Sequence, residues 1–237
     1  MPKESKSIKR GMVVVAHADD AEWGCSGTVA QWCRQGSEVI YVICTDGSKG
    51  SDDPNMTSIN LAAIRKSEQE AAAQTLGVKE VVFLNYEDSH LEPTIALRRD
   101  ITREIRKYKP DILICPNPTR VLDRHEYIGH PDHLAAGEAT LSAVFPAARD
   151  RLTFPELLDE GLEPHRVTEL LILENGSDAN YWVDVTETMD TAIEALKQHK
   201  SQVNPQQAEN NMRRGREERG KSKGVRYAEA FRLFTFS

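Results

Sequence analysis

Five short apolar runs punctuate the chain, at 11–17 (GMVVVAH), 38–46 (EVIYVICTD), 80–85 (EVVFLN), 111–116 (DILICP) and 169–175 (ELLILEN). Each is nearly continuous in hydrophobic residues, where a half-buried strand would alternate with period two. That pattern predicts strands covered on both faces. Between the runs, residues 22–35, 58–76, 94–108, 133–145 and 188–200 carry helical spacing. The second helix is predicted to stop at Gly77 and the third before Lys109-Pro110, both ordinary helix boundaries. Strands alternating with helices predict an α/β chain, Rossmann-like, with a mostly parallel sheet and helices on both faces.

Polar residues collect where the runs end. His17, Asp19 and Asp20 follow the first, Thr45-Asp46-Gly47 the second, Asn85-Tyr86-Glu87-Asp88 the third and Pro116-Asn117-Pro118 the fourth. In a parallel sheet the carboxyl ends share one edge, so the active site is expected there. The loops 48–58, 120–129 and 146–166 are expected to set specificity, and the proline-containing stretch 146–168 is expected to run irregularly over the site.

The chain has 237 residues, 39% hydrophobic and 28% charged. That suits one packed domain over 1–237 and excludes a disordered chain. No apolar stretch approaches the roughly 20 residues of a membrane span. The opening MPKESKSIKR lacks the apolar segment of a secretory signal, so the expected location is cytoplasmic. Cys25, Cys33, Cys44 and Cys115 form no C-x-x-C pair and read as reduced thiols, three of them in apolar or amphipathic segments. Net charge is −7, yet residues 213–226 carry seven basic and two acidic side chains, leaving −12 on the remainder. An acidic body argues against a nucleic-acid partner. The basic segment near 209–226 is expected as a solvated or oligomer-contacting loop, with an anion-attracting lid as the alternative.

Candidate chemistry lies in two distant clusters. Ala16-His17-Ala18-Asp19-Asp20 ends the first run, and Gly129-His130-Pro131-Asp132-His133 opens a helix more than a hundred residues later. Two imidazoles and a carboxylate, His17, Asp20 and His133, suit Zn²⁺ with an open position for water, and the same set serves Fe²⁺. Asp19, adjacent to Asp20 and aimed elsewhere, is the candidate general base. His130 is the candidate partner for the oxyanion or the leaving amine, with Asp132 expected to orient it. Taken alone, Asp19 or Asp20 also reads as a helix N-cap.

These residues resemble the signature of the PIG-L/LmbE-like N-deacetylases, A-H-P-D-D-x-E-x-G-C-G-G-T followed by H-P-D-H. Here the stretches are Ala16 through Thr28 and His130-Pro131-Asp132-His133. Similarity continues through Thr45-Asp46-Gly47, Arg65, Glu68, Leu76-Gly77-Val78, Val183-Asp184-Val185-Thr186, His199-Lys200-Ser201-Gln202 and Tyr227-Ala228-Glu229-Ala230-Phe231. Ala18 stands for the usual Pro and Ser26 for a Gly; neither change removes a ligand, though Ala18 loosens the turn that aims His17 and Asp19. The resemblance implies a zinc hydrolase that removes N-acetyl groups from a GlcNAc-type sugar or glycoconjugate, and a homo-oligomer with the hexamer as one form; the lack of a long apolar stretch leaves no membrane partner expected. It implies that Arg65 and Asp88 face substrate hydroxyls and that Tyr227 reaches the oxyanion. Arg65 also reads as a helix-surface ion pair, Asp88 as a turn residue and Tyr227 as an aromatic anchor for the C-terminal strand. Amide cleavage in a thiol-sugar conjugate and a sugar-binding protein with a structural metal stay open beside deacetylation.

Overall fold

The computed structural model describes residues 8–120, 122, 128–174 and 178–236. Residues 121 and 123–127 of the expected specificity loop 120–129, the start of the leader reading and the last residue of the fifth apolar run lie outside the described residues.

All five apolar runs form strands: β1 (Arg10–Val15), β2 (Glu38–Thr45), β3 (Glu80–Tyr86), β4 (Ile112–Cys115) and β5 (Glu169–Leu173). They are joined by β6 (Tyr181–Asp184) and β7 (Ala228–Thr235) in a seven-stranded sheet of order β3-β2-β1-β4-β5-β7-β6. The first five strands in that order pair in parallel, and β7 runs antiparallel to both β5 and β6.

Alternate β1 residues enter opposite cores. Met12 and Val14 pack with α3 (Ile95–Tyr108) and α4 (Pro131–Ser142), whereas Val13 and Val15 pack with α1 (Asp20–Arg34) and α2 (Ser58–Leu76). Both faces are dry, which is why period-two alternation is absent from the sequence. Helix boundaries follow their caps: Thr57 and Thr94 accept backbone N–H bonds at the starts of α2 and α3, and Gly77 closes α2 in the left-handed conformation.

Two expectations fail. The stretch 146–168, which includes α5 (Glu156–Asp159), packs against the amino edge of the sheet and not over the site. The buried Arg106 in the last turn of α3 donates to the carbonyls of Ala147, Ala148, Asp150 and Thr153, and His165 Nε2 bonds the Pro110 carbonyl just before β4. In a parallel sheet the end of a crossover helix lies opposite the carboxyl edge, so Arg106 draws the whole excursion there.

The basic segment is mostly helix. After α6 (Met189–Leu196), α7 spans Pro205–Lys221, capped by Asn204. It buries Ala208, Met212, Arg216 and Gly220, a stripe at every fourth position with only two apolar side chains, too narrow to register as amphipathic. Arg216 is 1% exposed and its guanidinium donates to Glu229, which also accepts from Gly27 N, Thr28 N and Thr28 Oγ1 of α1 at 2.6–2.9 Å. All four cysteines are free thiols. Among the described residues, no helix is long and apolar enough to cross a membrane.

Candidate metal centre and active site

The order β2-β1-β4 places the sheet's topological switch between β1 and β4, where successive crossovers leave in opposite directions and open a crevice. The segment after β1 and the helix following β4 meet there. Gly137 permits the approach of α4: a Cβ on it would stand 2.6 Å from the Pro116 carbonyl oxygen.

Residues 17–20 form a tight turn. Asp20 N–H donates to the His17 carbonyl at 3.4 Å, and Asp19 has φ 88° and ψ −24°, values that match the third position of a type II turn. This left-handed residue lets two adjacent carboxylates diverge. Asp20 turns toward the imidazoles: its oxygens lie 3.5 Å from His17 Nδ1 and 3.0 Å from His133 Nε2, and those two nitrogens are 3.3 Å apart. Tetrahedral zinc with bonds of about 2.0–2.1 Å has ligand edges of about 3.3–3.4 Å, so the three groups fit one such cation with little adjustment. The His17, His130 and His133 rings also bring nitrogens within 4.8 Å of one another.

His17 is locked through its other nitrogen. Nε2 bonds Asp132 at 3.0 Å and faces Asp88 at 3.2 Å. Burial opposes its charge, but hydrogen bonds to Asp132, Asp20 and Asp88 outweigh it and push the imidazole up to about 12 in the metal-free chain. Burial likewise opposes the charge of Asp20, yet His133 and His17 hold it well below the usual carboxylate range.

Asp132 is where geometry departs from the sequence expectation. Its carboxylate accepts from His17 Nε2, Ser89 N at 2.7 Å and Leu91 N at 3.3 Å, whereas His130 Nδ1 stands 3.9 Å away. Its carboxylate orients a candidate metal ligand, and His130 is met by the Asp132 backbone N–H. His130 is instead the N-cap of α4: its Nδ1 accepts the Asp132 backbone N–H at 3.2 Å, which assigns the proton of the neutral ring to Nε2. Burial, with the His17 charge adding, holds His130 below its ordinary value and so neutral.

Asp19 takes the opposite environment from Asp20. Burial, reinforced by the Asp20 charge, lifts its carboxyl to about 7, near the working range of a general base. Its backbone N–H donates to Gln69 Oε1 at 3.1 Å. Arg65 is buried, not on a helix surface. Its guanidinium donates to the Ala18 carbonyl at 2.8 Å and lies 3.5 Å from Asp88 and 3.9 Å from Asp19. Asp88, 3% exposed, bridges His17 and Arg65 and accepts from Lys49 N.

Tyr227 is not brought into the cluster. It is buried in a separate core with Val185, Met189 and Ile193 of the α6 region and Met212 of α7, and the guanidinium of Arg226 lies 5.1 Å from its ring centre. The aromatic-anchor alternative describes this position.

Three contributions escaped sequence reasoning. Gln69 lies one turn beyond Arg65 on α2, so the i, i+4 spacing was the available signal. His199 and Glu22, both fully buried, meet at 3.1 Å. Beside Asp20 and His133, a cleft of about 180 Å³ is walled by Trp23, Leu173, Glu174 and Arg219 among others. Trp23 belongs to α1, and Arg219 comes from α7, which Arg216 fastens to α1.

Residues 12–144 match the family model described as GlcNAc-PI de-N-acetylase (PIG-L). A diacetylchitobiose deacetylase of Thermococcus kodakarensis is 32% identical over 230 residues, covering 95% of this chain and 83% of that protein. A 1D-myo-inositol 2-acetamido-2-deoxy-alpha-D-glucopyranoside deacetylase of Actinosynnema mirum is 27% identical over 228 residues, covering 82% of this chain and 81% of that protein. Among solved structures, an N,N'-diacetylchitobiose deacetylase from Pyrococcus horikoshii superposes with a TM-score of 0.88 at 33% identity, covering 96% of this chain and 84% of that one.

Proposed function

Because the chain belongs to the GlcNAc-PI de-N-acetylase (PIG-L) family, we propose that it removes the N-acetyl group of a GlcNAc-type sugar or glycoconjugate, releasing acetate and a free amine. It is a deacetylase, a hydrolase of a linear amide. The observation that carries the reading is the convergence of His17 Nδ1, Asp20 and His133 Nε2 within 3.0–3.5 Å of one another, with a second carboxylate next in sequence and aimed elsewhere.

His17, Asp20 and His133 would hold a divalent cation, and the donor set of two imidazoles and one carboxylate favours zinc. When bound there, the cation supplies a Lewis acid that acidifies water and polarises the acyl carbonyl. Asp19 takes the proton of the attacking water; its carboxyl, lifted to about 7 by burial and by the charge of Asp20, holds that proton strongly enough to pass it to the departing amine. His130 offers a neutral Nε2–H to the oxygen that gains charge in the tetrahedral transition state. Asp132 and Asp88 fix the ring of His17. Arg65 spans the Ala18 carbonyl, Asp19 and Asp88, supporting a role in holding both the turn and a substrate hydroxyl acceptor, Asp88, in place.

A GlcNAc-type substrate carries an acetamido group for the centre and a further substituent that needs its own space. The adjoining cleft, with an indole, a carboxylate and a guanidinium in its walls, suits a polar ring or a conjugated group. The experiment is to measure free amine released from GlcNAc, diacetylchitobiose and a GlcNAc-conjugated thiol precursor, with and without chelator. Chelator-sensitive release from an N-acetylated sugar is the expected outcome. Tight sugar binding with no amine from any of the three would overturn the reading.

A further inference from the structure

We propose that Gln69 is the positioning residue of Asp19: it holds the backbone of the 17–20 turn in its left-handed form, and a buried Glu22–His199 pair behind it fixes which end of its amide faces the turn. This inference rests on the reading of Asp19 as the base.

A left-handed conformation at a residue with a Cβ costs on the order of 1 kcal/mol or more. Asp19 adopts it at φ 88° with a turn hydrogen bond stretched to 3.4 Å. A proline at the second turn position would help preset such a turn, but this chain has Ala18 there. The restraint comes instead from α2. Gln69, fully buried, accepts the Asp19 N–H through Oε1 at 3.1 Å, while Arg65 one turn earlier donates to the Ala18 carbonyl at 2.8 Å. Two consecutive residues of the turn are thus gripped from one helix face.

The amide of glutamine can sit two ways, and only one of them works here. Its Nε2 donates to both oxygens of Glu22, at 3.2 and 3.3 Å. A flipped amide would set Oε1 against that carboxylate and Nε2 against the Asp19 N–H, breaking both contacts. Glu22 is in turn received by His199 Nε2 at 3.1 Å, and neither side chain is exposed. His199 comes from the segment that follows α6, so the chain of contacts ties the turn to a helix packed against α1 and α2. With Asp19 misplaced, its carboxylate would drift from the proton it must take, and an error of about 1 Å in such a group costs about 100-fold in rate.

The test uses the zinc-loaded protein and its Gln69→Leu variant, which keeps bulk and loses the acceptor. Hydrogen exchange at the Asp19 amide is expected to quicken about tenfold with metal stoichiometry kept, and the melting temperature to fall by several degrees because the buried Glu22 carboxylate loses its amide donors. Turnover of diacetylchitobiose is expected to fall about 10- to 100-fold with KM unchanged. In an Asp19→Asn background the same substitution is expected to add nothing, because it acts through the missing carboxylate. Ala18→Pro, which presets the turn, is expected to recover part of the loss. Should Gln69→Leu fail to fold, Glu22→Gln preserves volume and removes the bias on the amide, with effects of the same sign. Unchanged Asp19 exchange in a folded variant, or an equal fractional loss of turnover with and without the Asp19 carboxylate, overturns the proposal. The exchange measurement needs no substrate, so it stands or falls apart from the deacetylase reading.

Discussion

Asp132 Oδ2 accepts the Nε2 proton of His17 at 3.0 Å, joining residues 115 positions apart. This bond turns the opposite nitrogen, Nδ1, toward Asp20 and His133. The same carboxylate also holds Ser89 N and Leu91 N, so an amide in its place would force its NH₂ against a donor.

Asp132→Asn is therefore expected to weaken metal binding about 10- to 100-fold. His130→Ala should leave metal affinity near normal and lower kcat. Metal titration of the two variants checks the division; equal affinities for both would return Asp132 to the role of orienting His130.

Asp19→Asn should retain one metal per chain and lose about 10²- to 10⁴-fold in kcat. In the parent enzyme the acid limb of kcat/KM should titrate at or below about 7, because a cation beside Asp19 lowers the value that burial and Asp20 raise. That limb should vanish in the variant. Elemental analysis and a pH–rate profile measure both.

Metal uptake should expel protons. His17 is raised to about 12 in the metal-free chain, and a cation binds only the unprotonated nitrogen, so affinity should climb about tenfold per pH unit while one proton is released. Calorimetry in buffers of different ionisation enthalpy counts it. Without metal, a folded value above the unfolded one makes the His17 contribution to stability complete below pH 6.5 and lost as pH rises toward 12. Asp88 acts with the opposite sign. Although burial opposes its charge, His17 holds it to about 2, so its contribution is present above about pH 4 and lost as pH falls through 2. Denaturant titration of the metal-free chain across pH follows both.

Glu229→Ala strands the buried guanidinium of Arg216 and leaves Gly27 N and Thr28 N without an acceptor. Breaking such a pair costs about 3–5 kcal/mol, roughly 10 °C or more in melting temperature at this chain length. Thermal unfolding reads it. A shift under 2 °C would mean that α7 is fastened by other contacts.

Much of the fold was legible because its signals are local. Continuous apolar runs marked the five parallel strands, and Gly77 and Lys109-Pro110 marked the carboxyl ends of α2 and α3. α7 was missed because its buried stripe includes Arg216 and Gly220, whose burial depends on Glu229 and on backbone approach, neither visible as hydrophobicity. The excursion 146–168 was misplaced because its anchor, Arg106, binds carbonyl groups, which every residue possesses.

The candidate ligands His17, Asp20 and His133 were readable from residue type and spacing, since metal chemistry admits few side chains and the carboxyl ends of parallel strands share an edge. Folding decided the pairing among them. Asp132 could have turned to either neighbouring imidazole by sequence, and only the parallel pairing of β1 with β4 brought His17 nearer to its carboxylate than His130. The left-handed turn at Asp19, its glutamine support from α2 and the burial of Tyr227 were likewise settled in three dimensions. Such contacts join side chains whose separation along the chain carries no periodic signal, so only the packed structure selects them.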